Sequence, residues 1–162
     1  MKKVIILLLL VVSVSCAQET PKQFSAKALN DTFITLNNKE VSFKKILEKY
    51  RGKTILIDIW ASWCGDCIKG MPKVVALQKE YPEVVYLFLS LDKSLEDWKV
   101  GIKKYNVKGE HYFLTSGWEG EFGSFVNIDW IPRYMVIDTQ GNIKLFKSVH
   151  ADDNKIIESL KK

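Results

Sequence analysis

Apolar residues along this chain fall into two rhythms. Residues 55–60 (ILIDIW) are apolar but for Asp58, and the run is short enough to be a fully buried strand. Residues 84–91 (VVYLFLSL) read the same way. Elsewhere the spacing is helical. Phe43, Ile46, Leu47 and Tyr50 predict a helix over 43–50 with Ser42 as its cap. Val74, Val75 and Leu77 continue a helix to Tyr81 that Pro72 should kink rather than end. Leu95, Trp98, Ile102 and Tyr105 predict another over 94–105, with Trp98 as its core anchor. A short helix is expected near 121–127, and a last one over 152–161, apolar at Ile156, Ile157 and Leu160. Residues 33–36 and 41–42 form a hairpin across Asn37-Asn38-Lys39, and 134–138 and 143–146 form another across Thr139-Gln140-Gly141-Asn142. Residues 111–114 add a short strand. Strands alternating with helices predict an α/β domain over 24–162, a central mixed sheet with helices on both faces.

The chemistry is concentrated where the first buried run ends. Ala61-Ser62-Trp63 lead into Cys64-Gly65-Asp66-Cys67, and helical composition follows from Ile68. At a helix N-terminus, free backbone N–H groups and the macrodipole favour an anion, so Cys64 can exist as thiolate near neutral pH. Cys67, three residues on, can attack a mixed disulfide held on Cys64. A purely structural disulfide closing so small a loop would restrict the unfolded chain little. A zinc site would need Cys16, His111 or His150 as further ligands, and their spacing fits no common finger or ribbon. The pattern therefore favours dithiol redox chemistry.

The N-terminus changes the picture of where this chemistry happens. Two lysines precede an apolar run over 4–12 and then small residues, which is the layout of a secretory signal over 1–15. Cys16 follows Ser13-Val14-Ser15, similar to a bacterial lipobox, although a larger aliphatic residue usually stands where Ser13 does. Lipidation of Cys16 leaves one redox pair from an odd cysteine count. Residues 16–23 then serve as a lipidated, Pro-containing tether. The formal charge of +5 includes Lys2 and Lys3, and the remaining lysines are scattered, so no nucleic-acid partner is indicated. Gly117, Gly120 and Gly123 follow no phosphate-loop spacing.

At WASWCGDC, with ILIDIW before it, the chain resembles the thioredoxin superfamily. The N-terminal hairpin, the strand-helix insertion before Ile131-Pro132 and the VID-TQGNI hairpin are similar to its TlpA-like branch, extracytoplasmic thiol–disulfide oxidoreductases that are commonly membrane-tethered reductases. The resemblance implies a thioredoxin-like fold. It makes Cys64 the attacking cysteine and Cys67 the resolving one, and it makes Pro132 a cis-proline facing them and Asp58 a buried acid beneath them. Trp63, Gly65 and Asp66 are supporting residues, with Trp63 and Trp130 flanking the site. An ionised Asp58 is costly to bury, so its pKa should rise and it can take and return the Cys67 proton. A cis bond at Pro132 would set backbone beside the disulfide, where a substrate peptide can pair with a free strand edge.

Two positions depart from the family, which often has proline at Asp66 and an acidic residue at Gly70. Asp66 beside Cys64 should disfavour the thiolate and so favour a reductant; Asp66→Pro or Asp66→Asn should make the potential less negative. The sequence thus predicts a protein-disulfide reductase of the bacterial cell envelope, on the periplasmic side and lipid-anchored. It needs no cofactor beyond the Cys64–Cys67 pair. Its partners are protein thiols and disulfides and a membrane or periplasmic electron donor. The competing readings are a thiol peroxidase of the same fold and a non-catalytic binding lipoprotein.

Overall fold

The computed structural model describes residues 20–161. The expected signal segment and Cys16 lie outside the described residues. The chain runs α1 (Ala26–Asn30), β1 (Thr32–Thr35), β2 (Glu40–Ser42), α2 (Phe43–Lys49), β3 (Ile55–Trp60) and α3 (Gly65–Glu80). It continues with β4 (Val85–Ser90), α4 (Leu95–Lys104), β5 (Glu110–Leu114), α5 (Glu121–Phe125), β6 (Arg133–Ile137), β7 (Ile143–Ser148) and α6 (Asn154–Leu160). The seven strands form one sheet in the order β2-β1-β5-β4-β3-β6-β7. The mixed, helix-flanked sheet expected from the sequence is the observed one.

All six residues of β3 are buried. A strand paired on both edges and covered on both faces has no solvent side, which explains why its sequence shows no alternation. It runs parallel to β4, with Asp58 opposite Phe88, and antiparallel to β6, with Asp58 opposite Tyr134. The chain leaves β3 through α3, which continues past Pro72, and returns as β4.

The N-terminal hairpin is not a separate flap. Its β1 pairs antiparallel with β5, placing Phe33 opposite Leu114, so the hairpin extends the main sheet. In its turn Asn38 takes a positive φ of 59°, a conformation Asn tolerates better than most residues. The helix α1 was not expected from the sequence. Its five residues are too few to show a period, and it is held by the Ser25 hydroxyl accepting from the Ala28 N–H at 3.1 Å. Rings of Phe24, Phe33, Phe43, Phe122 and Phe125, with centroids 4.7–6.1 Å apart, join this N-terminal segment to α5. The end of the expected tether is also docked: the Lys22 carbonyl accepts from the Ile143 N–H at 2.8 Å. The last helix begins at Asn154, a little later than expected, with Asp153 as its cap.

Candidate active site

Cys64 and Cys67 form a disulfide at the junction of β3 and α3, with their Cα atoms 5.3 Å apart. Cys64 is itself the N-cap of α3, and its Sγ accepts from the Cys67 N–H at 3.1 Å. A cap normally supplies an oxygen to a free N–H of the first turn. Here sulfur takes that place, so charge on Cys64 would sit against both an N–H donor and the positive end of the helix dipole. Cys64 is 6% exposed and Cys67 fully buried, an arrangement in which only the first sulfur can meet a large partner.

The loop carrying Cys64 is clamped from the neighbouring strand. Asp92, just past β4, accepts from the Ser62 N–H at 2.9 Å, the Ser62 hydroxyl at 2.6 Å and the Ser90 hydroxyl at 2.8 Å. Sequence reasoning did not assign Asp92 to the site. The available signal was two polar residues, Ser90 and Asp92, closing an otherwise apolar run at the strand end that faces the loop after β3.

Across from the disulfide, the Ile131-Pro132 peptide bond is cis, and the Ile131 carbonyl oxygen lies 3.6 Å from Cys64 Sγ. The free-edge expectation needs correction. The strand that follows, β6, is paired on one side by β3 and on the other by β7, so it offers no free edge. Trp130-Ile131, which precedes the strand, instead borders the cavity beside Cys64. Arg133 holds this corner from behind. Fully buried, it donates to the carbonyls of Asn127 at 3.2 Å and Phe146 at 3.3 Å and stacks its guanidinium on the Phe146 ring. Sequence analysis missed this role, since an Arg opening a strand ordinarily reads as surface.

Trp63, Trp118 and Trp130 are exposed around Cys64, and with Gly65, Asp66 and Ile131 they line an open cavity of about 300 Å³. Trp63 and Trp130 stand where expected. Trp118 arrives from the β5–α5 loop and had no local signal beyond its glycine neighbours. Asp66 pairs with Lys69 at 3.4 Å in solvent, which offsets part of its charge near Cys64.

Asp58 lies in the middle of β3, 2% exposed, and burial pushes its carboxyl up to about 8. Neither of its oxygens has a protein partner among the described residues. Tyr134 stands opposite it on β6, so both side chains project from one face of the sheet. That face lies under α3, because a Cβ at Gly70 would sit 3.2 Å from the Tyr134 hydroxyl. Cys67 is one helical turn before Gly70, and the carboxyl is thereby on the side of the resolving cysteine. Among the described residues, no three His, Cys, Asp or Glu side chains cluster as metal ligands would.

Known proteins resemble this chain. Residues 52–143 match a family model described as thioredoxin-like. The thioredoxin-like protein YneN of Bacillus subtilis is 28% identical over 105 residues, covering 62% of this chain and 59% of that protein. The chain thus spans a little over half the length of that relative. The thiol-disulfide oxidoreductase ResA of Bacillus cereus is 26% identical over 150 residues, covering 90% of this chain and 82% of its own. Among solved structures, a candidate thiol-disulfide oxidoreductase from Bacteroides vulgatus superposes with a TM-score of 0.69 at 28% identity, covering 84% of this chain and 87% of that one.

Proposed function

Because this chain belongs to the thioredoxin-like family, in its TlpA-like branch, we propose that it is a thiol–disulfide oxidoreductase that reduces protein disulfides through Cys64 and Cys67. The observation that carries this reading is a dithiol pair whose outer sulfur caps α3 and faces the Ile131 carbonyl. In the first step the Cys64 thiolate attacks one sulfur of a substrate cystine. A bond forms between Cys64 and that sulfur, the substrate S–S bond breaks, and the leaving thiolate takes a proton from solvent. In the second step Cys67 attacks Cys64 Sγ, its proton passing to Asp58. The second substrate thiolate leaves and is protonated, and Cys64–Cys67 is oxidised. Two electrons have moved to the substrate, and an external dithiol donor must return them.

The Trp-lined cavity supports a peptide substrate, offering apolar area beside the nucleophile with backbone at Trp130-Ile131 to pair with. Asp66 biases the pair toward the disulfide and hence toward reduction, by a margin that Lys69 lessens. The enzyme works at the bacterial cell envelope, on the periplasmic side, anchored by lipid on Cys16. The charged-then-apolar start of the sequence supports that location. Among the described residues no helix is long and apolar enough to cross a membrane. The electron donor is a membrane or periplasmic dithiol protein.

The test is turnover of a protein disulfide with a chemical dithiol as donor. Cys64→Ser should abolish it, and Cys67→Ser should accumulate a covalent adduct between Cys64 and the substrate. Full biological activity in the doubly substituted Cys64→Ser, Cys67→Ser protein would overturn the reading in favour of a binding module.

A further inference from the structure

We infer that the Tyr134 hydroxyl relays the proton between Asp58 and solvent, and that Gly70 keeps this passage open. The inference rests on the oxidoreductase reading and concerns a step that reading leaves unserved. To take the Cys67 proton, Asp58 must first be ionised, and any proton it does not return to Cys67 has to exchange with solvent, yet it sits 2% exposed in the central strand. A proton acceptor sealed in this way needs a conduit.

Tyr134 is the polar side chain placed to provide one. It is paired with Asp58 in the β3–β6 register, on the same face of the sheet. It is fully buried, and its hydroxyl, like both Asp58 oxygens, has no protein partner among the described residues. Buried hydroxyls rarely go unpaired without a functional reason. Tyr134 also lines a second cavity, of about 230 Å³, that lies beside the active site and is bounded by Lys69, Gly70, Lys73, Pro132 and His150. The same residue therefore neighbours the carboxyl on one side and borders an open cleft on the other. A hydroxyl can donate and accept at once, and one bridging water on either side completes the chain.

Gly70 matters because of what it leaves out. An added Cβ would stand 3.2 Å from the hydroxyl, between α3 and the ring. The charged or titratable groups around the passage are Asp58 from β3, Asp66, Cys67, Lys69 and Lys73 from α3, and His150 and Asp152 from the turn before α6. Lys69 and Lys73 are engaged by Asp66 at 3.4 Å and Asp152 at 2.7 Å, and His150 lines the same cleft. Arg133 belongs to the opposite face, where it binds the Asn127 and Phe146 carbonyls. Acting through Asp58 rather than on a reacting atom, Tyr134 is a positioning residue.

The experiment separates the two halves of the reaction. The rate at which Cys67 resolves a preformed mixed disulfide on Cys64 is measured in single turnover across roughly pH 5 to 9, a span that brackets the raised Asp58 carboxyl. The rate of Cys64 alkylation is measured alongside. Tyr134→Phe keeps the ring and removes only the hydroxyl. It should slow resolution about tenfold at neutral pH, less than loss of a direct acid–base group. It should leave Cys64 alkylation unchanged, and added imidazole, small enough for the cleft, should restore the rate. Gly70→Ala should slow the same step and add nothing further in the Tyr134→Phe background. An unchanged resolution rate in folded Tyr134→Phe overturns the inference, and so does a slowed rate that imidazole fails to restore. If the wild-type protein resolves no mixed disulfide, it is the oxidoreductase reading that falls.

Discussion

Two aspartates, Asp58 in β3 and Asp92 just past the neighbouring β4, are hidden to almost the same degree, 2% and 6% exposed, and their surroundings could hardly differ more. Asp92 accepts three hydrogen bonds from Ser62 and Ser90 and so ties the loop before Cys64 to the end of β4. Asp58 accepts none from the protein. Hydrogen bonds to a charged group each contribute about 1.5–3 kcal/mol, whereas burying a carboxylate without them is costly enough that the group takes up a proton instead. One aspartate therefore fixes the position of the nucleophile, and the other, raised to about 8, can lose its proton near neutral pH and then take one up. The same side chain is tied into the architecture in one place and stands without a protein partner in the other, and the partners decide which.

The largest effects should come from removing the unpartnered acid. Asp58→Asn should lower turnover about a hundredfold at neutral pH, the low end for loss of an acid–base group. It should also raise stability. The carboxyl titrates near 8 in the folded protein against 3.8 when free, so below about pH 4 both states are protonated and Asp58 contributes nothing. As pH rises toward 8 the unfolded chain ionises and the folded one does not, and stability falls. Each pH unit is worth about 1.4 kcal/mol, so the gain in Asp58→Asn should approach about 4 kcal/mol near neutrality and vanish in acid. Denaturant unfolding of both proteins at several pH values measures this, and a gain independent of pH would contradict it.

Asp92→Ala should do the opposite, costing about 3 kcal/mol in urea unfolding because it strands the Ser62 and Ser90 donors. If it proved as harmless as Asp58→Asn, the contrast between the two sites would dissolve. A milder version is Ser62→Ala, which removes one of the three bonds and should cost about 1 kcal/mol, read as a shifted urea midpoint. Smallest is Asp66→Asn, a carboxylate more than half exposed and already opposite Lys69. Exposed pairs contribute about 0.2–1 kcal/mol, so the redox potential should become less negative by about 5–20 mV in equilibrium with glutathione. A shift to more negative values would reverse its assigned sign.

Much of this contrast was legible in the sequence, and unevenly so. Asp58 stood out because a single acid in ILIDIW breaks an apolar run, and Cys64 and Cys67 because their spacing and the junction after β3 carry a mechanism. The long elements read correctly too, β3 and β4 as near-continuous apolar runs and α3 and α4 as helical spacing sustained over several turns. Asp92 escaped notice since an Asp after a strand is ordinary loop composition, and its meaning depends on Ser62, thirty residues away. Arg133 and Trp118 were missed on similar grounds, Arg133 finding a partner on β7 and Trp118 reaching from the β5–α5 loop to residues around Cys64 that are distant in sequence. The pairing of β1 with β5 likewise rests on contacts nearly eighty residues apart, which no local pattern encodes.

The sulfur that caps α3 has a consequence for observation rather than for chemistry. The Cys67 amide proton points at Cys64 Sγ from 3.1 Å, so it senses directly whether that atom is bonded to sulfur or carries charge. Its resonance in an NMR spectrum should move more between oxidised and reduced samples than any other in the helix, and titrating it against pH would follow the ionisation of Cys64 without a label or a substrate.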